Sequence, residues 1–141
     1  MATVIKRSGA ALRIYTSLLS IAEISGALAT VPTDSYDKGT PVSPSNAVSP
    51  LRGEALWLLD SGLDKAQPLE AHIMRLAEYV EQKLPVVEKL LLNCEIDIFC
   101  FVASKNGQCG FALEPDLLRR LTVIPMPLVF DIYPTDDTEP V

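Results

Sequence analysis

Gly110-Phe111-Ala112-Leu113-Glu114-Pro115-Asp116-Leu117-Leu118, followed after a short gap by Leu128-Val129-Phe130-Asp131-Ile132-Tyr133, reads as strand, helix, strand, and it is the stretch that decides the fold class. Pro115 suits the first position of a helix, where its missing N–H would have no partner anyway, and Asp116 meets the positive end of the helix dipole. A short helix is expected over 115–121. A strand is expected over 126–133, with Met126, Leu128, Phe130 and Ile132 inward and Val129, Asp131 and Tyr133 outward. Just upstream, Asn106-Gly107 has the form of a two-residue hairpin turn, whose central positions both need positive φ. Residues 108–113 are therefore expected as a strand antiparallel to the one before the turn.

That preceding strand spans 95–103, with Ile96, Ile98, Cys100 and Val102 opposed to Asp97, Phe99 and Phe101. Residues 67–93 carry Leu69, Ile73, Leu76, Val80, Leu84, Val87 and Leu91 at helical spacing, and Pro85 predicts a kink or break near residues 83–84. Residues 55–60 form a strand whose two faces are both apolar. Residues 30–53, rich in Pro, Ser, Thr, Gly and Asp, read as one long loop, with Tyr36-Asp37-Lys38-Gly39 its most specific part. Ser20-Ile21-Ala22-Glu23 has the form of a capping box opening a helix. Residues 11–16 alternate as a strand, with Leu12, Ile14 and Thr16 on one side and Arg13 and Tyr15 on the other. The order strand, helix, strand, long helix, strand, strand, helix, strand gives an α+β fold: two layers, a mainly antiparallel five-stranded sheet with its helices on one face.

With 141 residues, 48% of them apolar, the chain suits one domain, expected over 1–133. Residues 134–141 hold Asp136, Asp137 and Glu139 against a net charge of −6 and read as an acidic flexible tail. An acidic chain lacks the clustered Lys and Arg that nucleic acid requires. The amino terminus imitates a secretory leader, with Lys6 and Arg7 before an apolar run, but Arg13 and Glu23 interrupt it. No apolar run is long enough for a membrane helix. Three cysteines without C-x-x-C spacing fit reduced thiols in a cytoplasmic protein and neither zinc nor a disulfide framework.

Leu12-Arg13-Ile14-Tyr15 with the helix around Ile24, then Pro32, Lys38-Gly39, Trp57, the helix bearing His72, and Gly110-Phe111-Ala112-Leu113 through Leu117-Leu118 to Asp131-Ile132-Tyr133 together resemble the bacterial family known as domain of unknown function 4279. The resemblance covers nearly the whole chain. It departs at Ile124 and Pro125, where the family carries a glycine after the last helix. The resemblance implies a small soluble α+β protein and no particular reaction, and it admits an immunity-type role of neutralising a toxin.

If the helices cover one face of the sheet, the other collects Arg13, Tyr15, Asp97, Phe99, Phe101, Val129, Asp131 and Tyr133. Aromatics mixed with an Arg and carboxylates characterise buried anchors at interfaces. Covering by the long loop, or by a second copy, is the plainer explanation, and Asp97 and Asp131 read as structural partners rather than an acid–base pair. His72, the single histidine, lies beside the apolar stripe of its helix and lacks the neighbours a metal site needs. The cysteines read as small core residues, and Lys38-Gly39 as a turn. The sequence thus leads to a non-catalytic protein-binding module, with a protein partner or self-association as a homodimer, and with no cofactor, metal, nucleic acid or membrane. Its binding surface is Arg13, Tyr15, Asp97, Phe99, Phe101, Asp131 and Tyr133, joined by the loop residues Tyr36, Asp37, Lys38 and Gly39. The competing reading is a small-molecule or enzymatic site between that face and the 30–53 loop, with Arg13 holding an acidic ligand.

Overall fold

Alternation of apolar and polar residues builds the centre of the sheet in the computed structural model, which describes residues 5–105 and 110–135. Strand β1 (Ile5–Thr16) sends Ala10, Leu12 and Ile14 to the core, and β4 (Glu95–Lys105) sends Ile96, Ile98, Cys100 and Val102 to the same side. The two pair antiparallel, with Leu12 opposite Ile98 and Arg13 opposite Asp97. Strand β3 (Ala55–Asp60) lies on the other side of β1, antiparallel, and buries Ala55 and Trp57 completely.

The helices close that side. Helix α1 (Ile21–Leu28) opens with the expected capping box: the Glu23 amide donates to Ser20 Oγ at 3.1 Å and the Ser20 amide to Glu23 Oε1 at 3.2 Å. Trp57 Nε1 donates to Ser25 Oγ at 3.0 Å, so the one polar atom of this buried ring is satisfied by the helix above it. The apolar stripe at 69–91 divides at Lys83, as Pro85 demands, into α2 (Leu69–Gln82) and α3 (Leu84–Leu90). Ile73, Leu76, Val80 and Val87 of this pair reach the core together with Ile24, Leu28 and Leu117, the last from α4 (Pro115–Leu121). A mainly antiparallel five-stranded sheet in an α+β fold is thus the architecture expected from the sequence.

Strand β1 begins six residues earlier than expected, and two further strands differ in whether they form at all. The long loop supplies one of them: β2 (Asp34–Tyr36) pairs antiparallel with β3 at the sheet edge, while an isolated bridge between Pro41 and Leu51 folds the rest of the loop on itself. The second is the hairpin return expected over 108–113, of which the described residues 110–113 form no strand. Residues 106–109 lie outside the described residues, and 110–113 are irregular. One edge of β4 is taken by β1 and the other by β5 (Leu128–Thr135), which runs parallel to it, so a returning strand has no ladder to join. The β4–α4–β5 connection is the crossover that a parallel pair needs. The final order is β2-β3-β1-β4-β5.

Strand β5 ends two residues beyond the expected boundary of the folded part, and 136–141 lie outside the described residues. Pro134 pairs with Ser104 by register, and proline is tolerated because β5 is an edge. Phe130 and Ile132, expected inward, are 40% and 46% exposed, since the helical layer ends before it reaches the outer part of this strand. Phe111 stacks on Phe130 instead, ring centroids 5.5 Å apart. Cys100 is opposite Ala10 on β1 and Phe130 on β5, in place of the register with Leu113 that a hairpin would impose.

Candidate functional site

Register places the expected surface residues in rows across the face away from the helices. Asp34, Leu58, Arg13 and Asp97 form one row and Tyr36, Leu56, Tyr15 and Glu95 the next. Phe99 is opposite Ala11 and Val129, Phe101 opposite Gly9 and Asp131, and Ala103 opposite Tyr133. Arg13, Tyr15, Asp97, Phe99, Phe101, Asp131 and Tyr133 therefore share one side of the sheet.

At its centre the Arg13 guanidinium forks onto the Asp97 carboxylate, with Nε donating to Oδ1 at 2.8 Å and Nη2 to Oδ2 at 2.7 Å. The same guanidinium lies 4.3 Å from the Phe99 ring centroid and 5.4 Å from that of Tyr15. The hydrogen bonds to Asp97 hold the Arg13 pKa above its ordinary value, outweighing partial burial. The two charged side chains keep only 20% and 16% of their surface exposed, so the pair is rigid and internally neutral. A second cluster occupies the end of the face near the start of β1. The Phe101 ring lies against Gly9, with Lys65 Nζ 5.0 Å and the Arg7 guanidinium 5.9 Å from the ring centroid. Tyr133, exposed at the β5 edge, has its phenol pKa raised by its hydrogen bond to Asp131.

The loop residues are engaged elsewhere. Asp37 Oδ1 accepts from the Ile21 amide at 3.0 Å, Lys38 Nζ donates to the Ser17 carbonyl at 3.4 Å, and the Gly39 amide donates to the Arg52 carbonyl at 2.8 Å. Gly39 has φ +87°, the left-handed conformation that the turn needs. Tyr36 lies under the Arg52 guanidinium at 3.8 Å and donates its hydroxyl to Asp34. These contacts tether the loop to the start of α1 and to its own stem, while Tyr36 alone joins the rows of the open face, two strands from Tyr15.

Two shallow concavities border the Tyr15 end of the face, one of them lined by Tyr15, Asp97, Cys94 and Pro127; Arg13 lines neither. A third, of about 340 Å³, sits at the opposite end between β1, α2 and residues 110–112, lined by Arg7, Lys65, Gln67, Leu69, Glu70 and Phe111 among others. Sequence alone does not reveal it, because Arg7 belongs there to a leader-like segment and Lys65 to no motif.

Among the described residues His72, Cys94 and Cys100 are buried, and Cys109 lies outside the described residues. His72 is fully buried and shares a 2.6 Å hydrogen bond between Nδ1 and Ser61 Oγ, and burial, with Lys65 nearby, lowers its pKa. Burial, with Asp97 adding, pushes the Cys100 thiol up to about 12. Among the described residues no three His, Cys, Asp or Glu side chains are grouped to hold a metal ion, and no helix is long and apolar enough to cross a membrane.

A family model described as domain of unknown function (DUF4279) matches residues 5–135, nearly all of the chain. No curated protein and no solved structure matches it.

Proposed function

The chain belongs to the DUF4279 family, and we propose that this domain is a non-catalytic binding module that docks another protein on the uncovered face of its sheet. The observation that carries the reading is the saturated state of Arg13. Its donors facing Asp97 are used in a planar fork and its face is stacked on Phe99, so it is built as a fixed element of a surface rather than as a grip awaiting a substrate. Around it Tyr15, Phe99, Phe101, Leu56 and Leu58 are half-buried, and Val129 and Tyr133 extend the patch to an exposed edge. Rigid aromatic and Arg anchors of this kind contribute most of the energy in protein interfaces. The occupant is a folded protein with a complementary apolar patch rimmed by both charges, since acids (Asp34, Asp60, Glu95, Asp131) and bases (Arg7, Lys65) ring the aromatic centre. A toxin would be the narrower case, giving the immunity-type role. The protein is expected to act from the cytoplasm.

The test compares the tagged wild type with Phe99→Asp and Tyr133→Asp, purified from the native cell. The expected result is one stoichiometric protein partner that the wild type retains and both variants lose, while Tyr133→Asp, at the exposed edge, keeps a melting temperature close to wild type. Equal retention by all three proteins, or an inert face in all three, overturns the reading. Self-association alone would appear as a doubled mass that Phe99→Asp returns to monomer, and would replace the foreign partner with a second copy.

A further inference from the structure

The cavity at the start of β1 and α2 borders the docking face at Phe101 and has a charge pattern of its own. Its 340 Å³ falls within the range of about 300–1,000 Å³ usual for small-molecule sites. Arg7 and Lys65 line it, two cations in a chain of net charge −6, and neither side chain makes an ion pair or hydrogen bond among the described residues. Their shared contact is the Phe101 ring, so two like charges are brought together with no carboxylate between them. Glu70, the acid in the lining, accepts from the Glu114 amide. Across the cavity, Phe111 is 40% exposed and is held flat by its stack on Phe130. Leu69 forms a buried apolar floor, and Gly110 and Ala112 keep the opening free of bulk.

We propose that this cavity binds a compact planar organic anion, a carboxylate or a phosphate monoester, with the anionic group between Arg7 and Lys65 and the planar part against Phe111. An anion there satisfies both cations at once, and a flat apolar group covers a ring otherwise left in water. Anion binding here does not rest on the docking proposal, although Arg7 and Lys65 border both surfaces; the anions are titrated with no partner protein present, so failure of either leaves the other standing.

The test is an amide-resolved NMR titration of the whole protein with benzoate, phenyl phosphate and neutral benzyl alcohol. Saturable shifts at Ala66, Gly110 and Ala112 are expected with an anion, at a dissociation constant of about 1 mM or tighter. The stronger of the two anions distinguishes carboxylate from phosphate. The double variant Arg7→Ala/Lys65→Ala is expected to weaken binding by about tenfold or more, and Lys65→Gln, which keeps most of the stem over Phe101, by a smaller factor. Failure of both anions to saturate, equal binding of benzyl alcohol, or undiminished affinity in the Lys65→Gln protein overturns the proposal, the last of these even should the double variant fail to fold.

Discussion

Arg13 and Asp97 face each other directly across the β1–β4 ladder and are joined by two parallel hydrogen bonds of 2.8 and 2.7 Å. Partners in register lie close enough for the fork to form without reorganising either strand, and Phe99, one residue pair further along, fixes the guanidinium plane. Removing either partner leaves a charge that is four-fifths covered and has lost its counter-ion. Asp97→Ala is therefore expected to lower stability by about 2 kcal/mol, and Arg13→Ala by a similar amount. The double variant should cost less than the sum, with a coupling of about 1–3 kcal/mol in a denaturation cycle. Additive losses would mean that the pair is screened like an ordinary surface bridge.

Gly9 is required by a side chain on the neighbouring strand. A Cβ at this position would lie 2.5 Å from Phe101 Cε1, 2.9 Å from Cζ and 3.0 Å from Lys65 Nζ, so Gly9→Ala must push the ring off the sheet and disturb the cation stacked on it. The expected cost is about 1–3 kcal/mol, typical of overpacking. Phe101→Leu should absorb the added methyl, so the double variant is expected to be closer in melting temperature to Phe101→Leu alone than Gly9→Ala is to wild type. Gly9→Ala at wild-type stability would show that the ring moves freely.

These two contacts mark what could be read from the sequence. The period of two in residues 11–16 and 95–103 assigns Arg13, Tyr15, Asp97, Phe99 and Phe101 to one face, because side-chain direction in a strand depends on parity alone. The same rule fails at residues 5–10, where Ser8, Gly9 and Ala10 are small because Phe101 and α2 approach closely, so the alternation has little amplitude and the strand is read six residues short. Strand β2 is three residues long and begins Asp34-Ser35, and only its partner β3 makes it a strand. The Asn106-Gly107 signal is local, whereas the outer edge of β4 is filled by a segment that returns after a helix; tertiary pairing, not turn chemistry, decides that strand. The cavity was illegible for a related reason, since Arg7 and Lys65 are 58 positions apart in sequence and are brought together by the Ser8–Lys65 backbone bond and by Phe101.

His72 provides a pH test with a single reporter, since the chain has one histidine. Its ring is fully buried, Nδ1 is committed to Ser61 Oγ, and Nε2 has no hydrogen-bond partner. Burial lowers its pKa below 6.5 and the charge of Lys65 adds to this, against a smaller opposing pull from the Gln67 and Asp64 backbone and from Asp60. Above the unfolded value of 6.5 both states hold the neutral ring and the group contributes nothing to pH dependence. As pH falls below that value the unfolded chain takes up a proton that the folded one refuses, so stability declines until the folded pKa is reached, by at most roughly 1.4 kcal/mol per pH unit. The imidazole resonance should therefore titrate below 6.5, and denaturation at pH of about 5.5 should show a loss relative to neutral pH that His72→Asn diminishes. An imidazole titrating at or above 6.5 would mean that the fold stabilises the imidazolium beneath α2 in spite of its burial.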